Sequence, residues 1–177
     1  QKISKAGKNQ DVDDFGMTDD EWVAMFEAMT PDERDAYLNS VAYGSATDNN
    51  VQVSGYYDNN MAQEVFNLTN QERANNGLSA YSWDSNMASY SDRRAKEIVT
   101  DYSHNSAGGN WSVGENIAEG ETSASEVVND WMNSAGHKAN ILSDVSTKIS
   151  VSCYVEKFTY ADGSTQYLHH WVQNFTH

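Results

Sequence analysis

Tyr102-Ser103-His104, Gly114-Glu115-Asn116-Ile117-Ala118 and Trp131-Met132-Asn133-Ser134-Ala135-Gly136-His137-Lys138-Ala139-Asn140-Ile141-Leu142 lie within one stretch, Tyr102 to Leu142. It gathers histidines and carboxylates at the ends of segments rather than inside packed runs. His104, Glu115, Glu126 and His137 offer two imidazoles and two carboxylates, the donor set of a divalent-metal site or an acid/base cleft. No tight H-E-x-x-H motif joins them, so only the fold can bring the four together.

Working outward, the flanking segments read as alternating helices and strands. A helix is expected over about Met61 to Asn75, with Gly77 as its stop. Another runs from about Ser85 to Asp101, with Met87, Ala88, Ser91, Ala95, Ile98 and Tyr102 at helical spacing. A third starts near Ser123 and carries Val127, Val128 and Trp131 on one face. Lys148 to Phe158 alternates as a strand does. Asp162-Gly163 is a hairpin turn signal, and Gln166 to Phe175 is the returning strand. The residues before Glu115 supply a further strand. The pattern predicts an α+β fold with helices around a small antiparallel sheet.

The chain has 177 residues, room for one ordinary domain and an extension. Residues 1–14 are polar and read as a disordered tail. Residues 15–45 read as an acidic helical extension. Thr18-Asp19-Asp20-Glu21 is a capping box for a helix burying Trp22, Met25, Phe26 and Met29. Thr30-Pro31-Asp32-Glu33 repeats the device for a helix burying Tyr37, Leu38 and Val41. Residues 46–60, rich in Ser, Asn, Asp and Gly, read as a linker, and 61–177 as the main domain. The chain opens at Gln1 without a Met or a signal peptide, which reads as a mature or trimmed sequence.

Lys and Arg number 11 against 26 Asp and Glu, a net charge of −15. Ten of the acidic residues fall in 11–35, where Arg34 is the lone base. Phosphate binding needs clustered Lys and Arg, so nucleic acid is excluded as a partner and anionic membrane surfaces are disfavoured. No run reaches the roughly 18 apolar residues of a membrane span. The single cysteine, Cys153, rules out an intrachain disulfide framework and reads as a buried strand residue.

Asn67-Leu68-Thr69-Asn70-Gln71-Glu72-Arg73-Ala74-Asn75-Asn76-Gly77-Leu78 resembles the first helix of a bacterial CAP domain. (This is the SCP-like superfamily of cysteine-rich secretory, antigen 5 and pathogenesis-related 1 proteins.) Ser82-Trp83-Asp84, Tyr102-Ser103-His104, Gly114 to Ala118, Trp131 to Leu142 and His170-Trp171-Val172-Gln173-Asn174-Phe175 follow in that family's order. The resemblance covers residues 61 to 177, about two-thirds of the chain. It implies an α-β-α sandwich, a secreted or cell-surface location, and a central cleft lined by His104, Glu115 and His137. The lone cysteine points to the bacterial branch, since eukaryotic members are usually disulfide-rich.

Each candidate has a purely structural counterpart. His104 lies just past a helix C-terminus, where an imidazolium favours the dipole. Glu115 could bond local backbone amides. His137 sits in a turn that opens a short helix. Ser123-Ala124-Ser125-Glu126 is itself a capping box, and the place where many eukaryotic relatives carry their second cleft glutamate, three beyond Trp131, is Ser134. Glu126 therefore either reaches the cleft or caps the helix. His169 and His170 point to opposite faces of the last strand, so at most one reaches the cleft, and the other is expected to be exposed or packed on a helix. His170 stands where bacterial relatives commonly carry an aromatic residue, which allows an extra ligand there. Trp83, Trp111, Trp131 and Trp171 read as core aromatics.

Three functions are open, the third being a purely structural adhesive domain. The resemblance implies a secreted binding or interaction module whose cleft engages a small ligand, a peptide or a protein. His104 and His137 could hold Zn²⁺ or another divalent metal there. The alternative is a metal-dependent hydrolase or protease using the same cleft, as proposed for some members of the family. No nucleophile motif activates Ser103, Ser106 or Ser134, and Cys153 carries no cysteine-protease signature. Binding without appreciable hydrolysis is the expectation.

Overall fold

The structure, a computed structural model, describes residues 51–177. The tail at 1–14, the acidic segment 15–45 with its two capped helices, and residues 46–50 of the expected linker lie outside the described residues. Five strands and four helices follow in the order β1 (Gln52–Tyr57), α1 (Asn59–Asn75), β2 (Ser82–Trp83), α2 (Ala88–Thr100), β3 (Gly114–Glu119), α3 (Ala124–Asn133), α4 (Ala135–Ile141), β4 (Lys148–Thr159) and β5 (Thr165–Thr176).

Local chemistry sets the helix ends. Asp58 caps α1 by accepting from the Met61 amide at 3.0 Å, so the helix starts two residues before Met61. Gly77, at φ +72°, stops it as expected, with its amide on the Ala74 carbonyl at 3.0 Å. Ser123 caps α3 through the Glu126 amide at 3.2 Å. Asp162 and Gly163 close the β4–β5 hairpin, Gly163 at φ +81°.

The long hairpin is the spine of the sheet, whose order is β1-β4-β5-β3 with antiparallel neighbours. Two departures from the sequence reading stand out. Residues 52–57, read as part of a linker, form β1 on the Tyr154–Thr159 half of β4. Gln-Val-Ser-Gly-Tyr-Tyr shows no alternation because every residue of this edge strand is exposed, so only its backbone ladder signals a strand. The sheet is also not wholly antiparallel, since the two-residue β2 pairs in parallel with β4 at Lys148 and Ile149.

Period-two alternation sorts the sheet into two faces. Ile149, Val151, Cys153 and Val155 of β4, with Trp171 and Phe175 of β5, face Val65 of α1, Val127 and Trp131 of α3 and Ile141 of α4. On the other face Ile117 and Val172 meet Ala95 and Ile98 of α2. The result is an α-β-α sandwich. Cys153 is buried in the larger core, as its position in an alternating run predicts.

His169 and His170 do point to opposite faces, but neither is exposed and neither reaches the cleft. His169 stacks on Trp171, its neighbour on the same face, with ring centroids 5.8 Å apart. His170 is 1% exposed and lies between two carboxylates, Nε2 2.9 Å from Glu156 and Nδ1 3.2 Å from Glu119. The Glu156 contact is a hydrogen bond, whereas the Glu119 contact is an ion pair off the hydrogen-bond line. His170 pairs with Glu119 across the ladder while Asn174 pairs with Glu115. Four residues of strand, about 13 Å, therefore separate it from Glu115.

Burial pushes the His170 imidazole down, but Glu119 and Glu156 outweigh it and hold its pKa up at about 9 against a usual 6.5. Its contribution to stability is fully present below pH 6.5 and is lost as pH rises through about 9. The shift corresponds to on the order of 3 kcal/mol. Glu121, pushed up to about 7 from 4.5 by burial and by Asp130, Glu126 and Glu119, acts in the same direction over a lower window. Urea midpoints measured between pH 6.5 and 9.5 should fall for the native chain and stay nearly level for His170→Gln. Parallel slopes in the two proteins would show that His170 is not the titrating group.

Candidate functional site

Arg94 is the side chain around which the site is arranged. It lies in the buried stripe of α2 with Tyr90, Ser91, Ala95 and Ile98, and its side chain is fully buried. A guanidinium taken wholly out of water needs all its donors answered. Nε and Nη2 donate to the two oxygens of Glu115 at 2.8 and 2.9 Å, a bidentate pair. Nη1 donates to Glu97 at 2.7 Å and to the Asn105 carbonyl at 2.8 Å, and Nη2 also reaches the Ser103 carbonyl at 2.7 Å. One cation thus fixes the β3 carboxylate and both residues that flank His104.

His104 completes the arrangement. Its Nδ1 is 3.0 Å from Glu115 Oε1, which leaves Nε2 on a side chain 60% exposed to solvent. Asn174 donates to Glu115 Oε2 at 2.9 Å and accepts from Ser91 at 2.8 Å. Burial pushes the Glu115 carboxyl up, but hydrogen bonds from Arg94, then His104 and Asn174, hold it down at about 2. With both oxygens engaged, Glu115 fixes the orientation of the His104 ring through Nδ1.

The other half of the site comes from the opposite layer. Glu115 faces α2, so its neighbour Asn116 faces α4. Asn116 Nδ2 donates to the His137 carbonyl and to Gln173 Oε1, both at 3.1 Å. Asn140, one turn on from His137, donates to Asn116 Oδ1 at 2.8 Å and to the Glu115 carbonyl at 3.3 Å. Gly114 permits this approach, because a Cβ there would lie 3.1 Å from Asn140 Oδ1. β3 is an edge strand, so groups from both layers meet around its open side. His137 is half-buried, and burial, then the charge of His104, lowers its pKa. A pocket of about 280 Å³ is lined by His104, Asn110, Ser112, Val113, Gly114 and Glu115, and His137 is not among its lining residues.

Glu126 is held at the start of its own helix. Its Oε2 accepts from the Thr122 amide at 2.9 Å and the Thr122 hydroxyl at 3.1 Å, which ties it to the loop before α3. That is the capping alternative, displaced by one residue from Ser123. Glu126 sits in the first turn of α3 while His137 follows its last, about 10 Å along the axis. Ser134, at the junction of α3 and α4, makes no side-chain cap bond. Among the described residues no three His, Cys, Asp or Glu side chains gather in a metal-holding cluster. Cys153 is buried and its thiol pKa is pushed well up, the opposite of an activated nucleophile.

The comparisons with known proteins agree with this fold. The family model of the cysteine-rich secretory proteins, CAP, matches residues 66–175. The chain belongs to this family. An uncharacterised Bacillus subtilis protein, YkwD, is 32% identical over 109 residues, 53% of this chain and 42% of that protein. A secreted Candida albicans protein, RBT4, is 29% identical over 117 residues, 64% of this chain and 32% of that one. The chain therefore matches less than half the length of either relative. The crystal structure of an extracellular SCP-domain protein from Bacillus anthracis superposes with a TM-score of 0.53 at 25% identity, covering 67% of this chain and 41% of that one. An outer surface protein of Borrelia burgdorferi gives the same TM-score, 0.53, at 16% identity over 70% of this chain and 98% of its own, a likeness of fold.

In this CAP domain the residues that sequence reading missed are Arg94, Asn116, Asn140 and Asn174. Arg94 left a signal: it falls on the apolar stripe of α2, three residues after Ser91 and four before Ile98, where an unpaired cation would be intolerable. The asparagines left none, because an amide inside a strand or short helix is common and its partner is set by the fold. The tryptophans divide. Trp131 and Trp171 are core, at 1% and 0% exposed, and Trp83 packs on Phe66. Trp111 is 63% exposed, contrary to the core reading.

Arg94→Ala should destabilise the domain by about 3–5 kcal/mol, since it leaves the Glu115 carboxylate buried without its cation. The native contribution of Glu115 is present above pH 4.5 and lost as pH falls through about 2. Urea unfolding at pH 7 and at pH 3 checks both points. An Arg94→Ala protein as stable as the native one at pH 7 would show that the pair does not hold the site.

Proposed function

We propose that this CAP domain is a secreted or cell-surface binding module whose cleft, centred on His104, Glu115 and His137, engages a small ligand, a peptide or a protein. Its relatives include a protein described as secreted and one described as extracellular, which supports the location. The observation that carries the reading is the Arg94–Glu115–His104 relay. A salt-bridged carboxylate holds Nδ1 and turns an exposed imidazole outward, an arrangement suited to holding something.

A divalent metal such as Zn²⁺ is part of this reading, held by the two imidazoles alone, since among the described residues no three His, Cys, Asp or Glu side chains gather. With Nδ1 on Glu115, His104 would offer Nε2, and the lowered pKa of His137 keeps that imidazole neutral, as a ligand must be. Two imidazoles leave positions for water or a bound ligand, which the metal would polarise. Glu115 would orient rather than ligate.

The hydrolase alternative gains no specific support. Among the serines near the cleft, Ser103 accepts from the Asn105 amide and Ser106 from Arg93, and neither is bonded to an imidazole.

Zinc affinity, measured by calorimetry, should weaken by about 1–3 kcal/mol for His104→Ala and for His137→Ala. Glu126→Ala should leave zinc affinity unchanged and cost about 1 kcal/mol of stability. Zinc binding indifferent to both histidines would remove the metal reading. Metal-dependent turnover of a peptide library, abolished by His137→Ala, would replace the module with a hydrolase.

A further inference from the structure

Trp111 is the exposed side chain whose setting is hardest to explain by folding. It stands in the Gly108-Gly109-Asn110-Trp111 loop beside the pocket, yet it is 63% exposed. One face of the indole is backed by the buried Tyr90, stacked with centroids 5.6 Å apart and planes 11° from parallel. The Arg93 guanidinium lies 5.1 Å from the Tyr90 centroid and 5.5 Å from that of Trp111. The indole Nε1 donates to the Gly108 carbonyl at 3.0 Å, and the Tyr90 hydroxyl reaches Asn110 Oδ1 at 3.4 Å. A large apolar ring is thus locked in place with much of its surface in water. Burial does not account for this, because two-thirds of the area that could be buried is not.

We propose that Trp111 is a stacking platform at the mouth of the cleft for a single pyranose ring of a neutral or amino sugar. This rests on the reading of the cleft as a binding site and names its ligand class. The apolar face of a pyranose presents C–H bonds with partial positive charge, which match the negative face of an indole. Its hydroxyl rim needs polar partners at the ring edge. Asn110, with Oδ1 engaged by Tyr90, presents its amide nitrogen. Ser112 accepts from Asn174 at 3.2 Å and keeps its own proton to donate, and the outward imidazole of His104 lies in the same pocket wall.

Size and charge narrow the choice. About 280 Å³ holds one ring rather than a lipid chain, and Val113 is the one large apolar residue in the lining, whereas lipid sites are lined mainly by apolar groups. Residues 51–177 carry 15 Asp and Glu against 7 Lys and Arg, a balance that opposes uronic or sulfated sugars and admits cationic ones. An indole fixed beforehand by Tyr90, Arg93 and Gly108 loses little entropy on binding.

The test is an NMR titration of the full ¹⁵N-labelled chain with tri-N-acetylglucosamine and with its de-N-acetylated form. The Trp111 indole resonance, assigned by its loss in Trp111→Phe, should shift saturably with at least one of the two. Trp111→Ala should weaken binding about tenfold or more, as removal of a stacking partner does, while Trp111→Phe keeps most of the affinity. Trp111 is exposed, so either variant should fold, which the remaining spectrum reports. No shift with either saccharide, or equal binding by Trp111→Ala, would overturn the proposal. A shift with a proline-rich peptide alone would overturn it in favour of peptide recognition. Zinc titrated into the same samples separates the two levels: zinc bound with no saccharide shift removes the platform and leaves the cleft reading, and neither bound removes both.

Discussion

A fully buried guanidinium tolerates no unanswered donor, and that requirement at Arg94 governs the arrangement of the cleft. Its partners are four residues from three parts of the chain: Glu97 on its own helix, the Ser103 and Asn105 carbonyls in the following loop, and Glu115 on β3. The loop after α2 cannot wander without leaving the cation short of acceptors. His104 sits between the two carbonyls that Arg94 holds, so its position follows from the desolvation of a neighbour rather than from packing of its own.

β3 does the complementary work by having two faces and an open edge. Glu115 turns to the α2 layer and Asn116 to the α4 layer, so two consecutive residues anchor opposite sides of the sandwich. Had β3 been an inner strand, the sheet would have stood between His104 and His137. At the edge, loops from both layers can close around it. Asn116, Asn140 and Gln173 supply directional bonds in place of apolar contact, which is why the site is polar inside and still fixed.

The α2 face of the sheet has a charged cluster at each end. Glu115 and Asn174 meet Arg94 at one end, and Glu119, His170 and Glu156 meet at the other. Ile117, Val172, Ala95 and Ile98 fill the space between. The apolar layer keeps the two networks apart, so each can balance its own charge. The cluster at the cleft opens to solvent through an exposed imidazole, whereas at the far end both imidazole nitrogens are turned inward to carboxylates. The first leaves a ring nitrogen to solvent, and the second ties strands together.

Much of this was legible beforehand. Periodicity marked α1, α2, α3 and the β4–β5 hairpin, because each buries one face and pays for it with a repeating apolar pattern. Glycines and cap residues marked their ends. The motifs from Tyr102 to Leu142, taken with the order of the remaining segments, identified the family and singled out His104, Glu115 and His137. β1 escaped because an edge strand exposed on every residue leaves no pattern. Glu126 stayed open because a capping carboxylate and a cleft carboxylate have the same sequence signature. Trp111 was misread because aromatic residues are usually buried and nothing local distinguishes the exception. The sequence by itself determined which segments have a face to hide and which segment ends offer imidazoles and carboxylates. Only the tertiary structure decided which donors answer a buried cation, which edge gathers two layers, and which aromatic stays in water, because those depend on contacts between residues far apart in the chain.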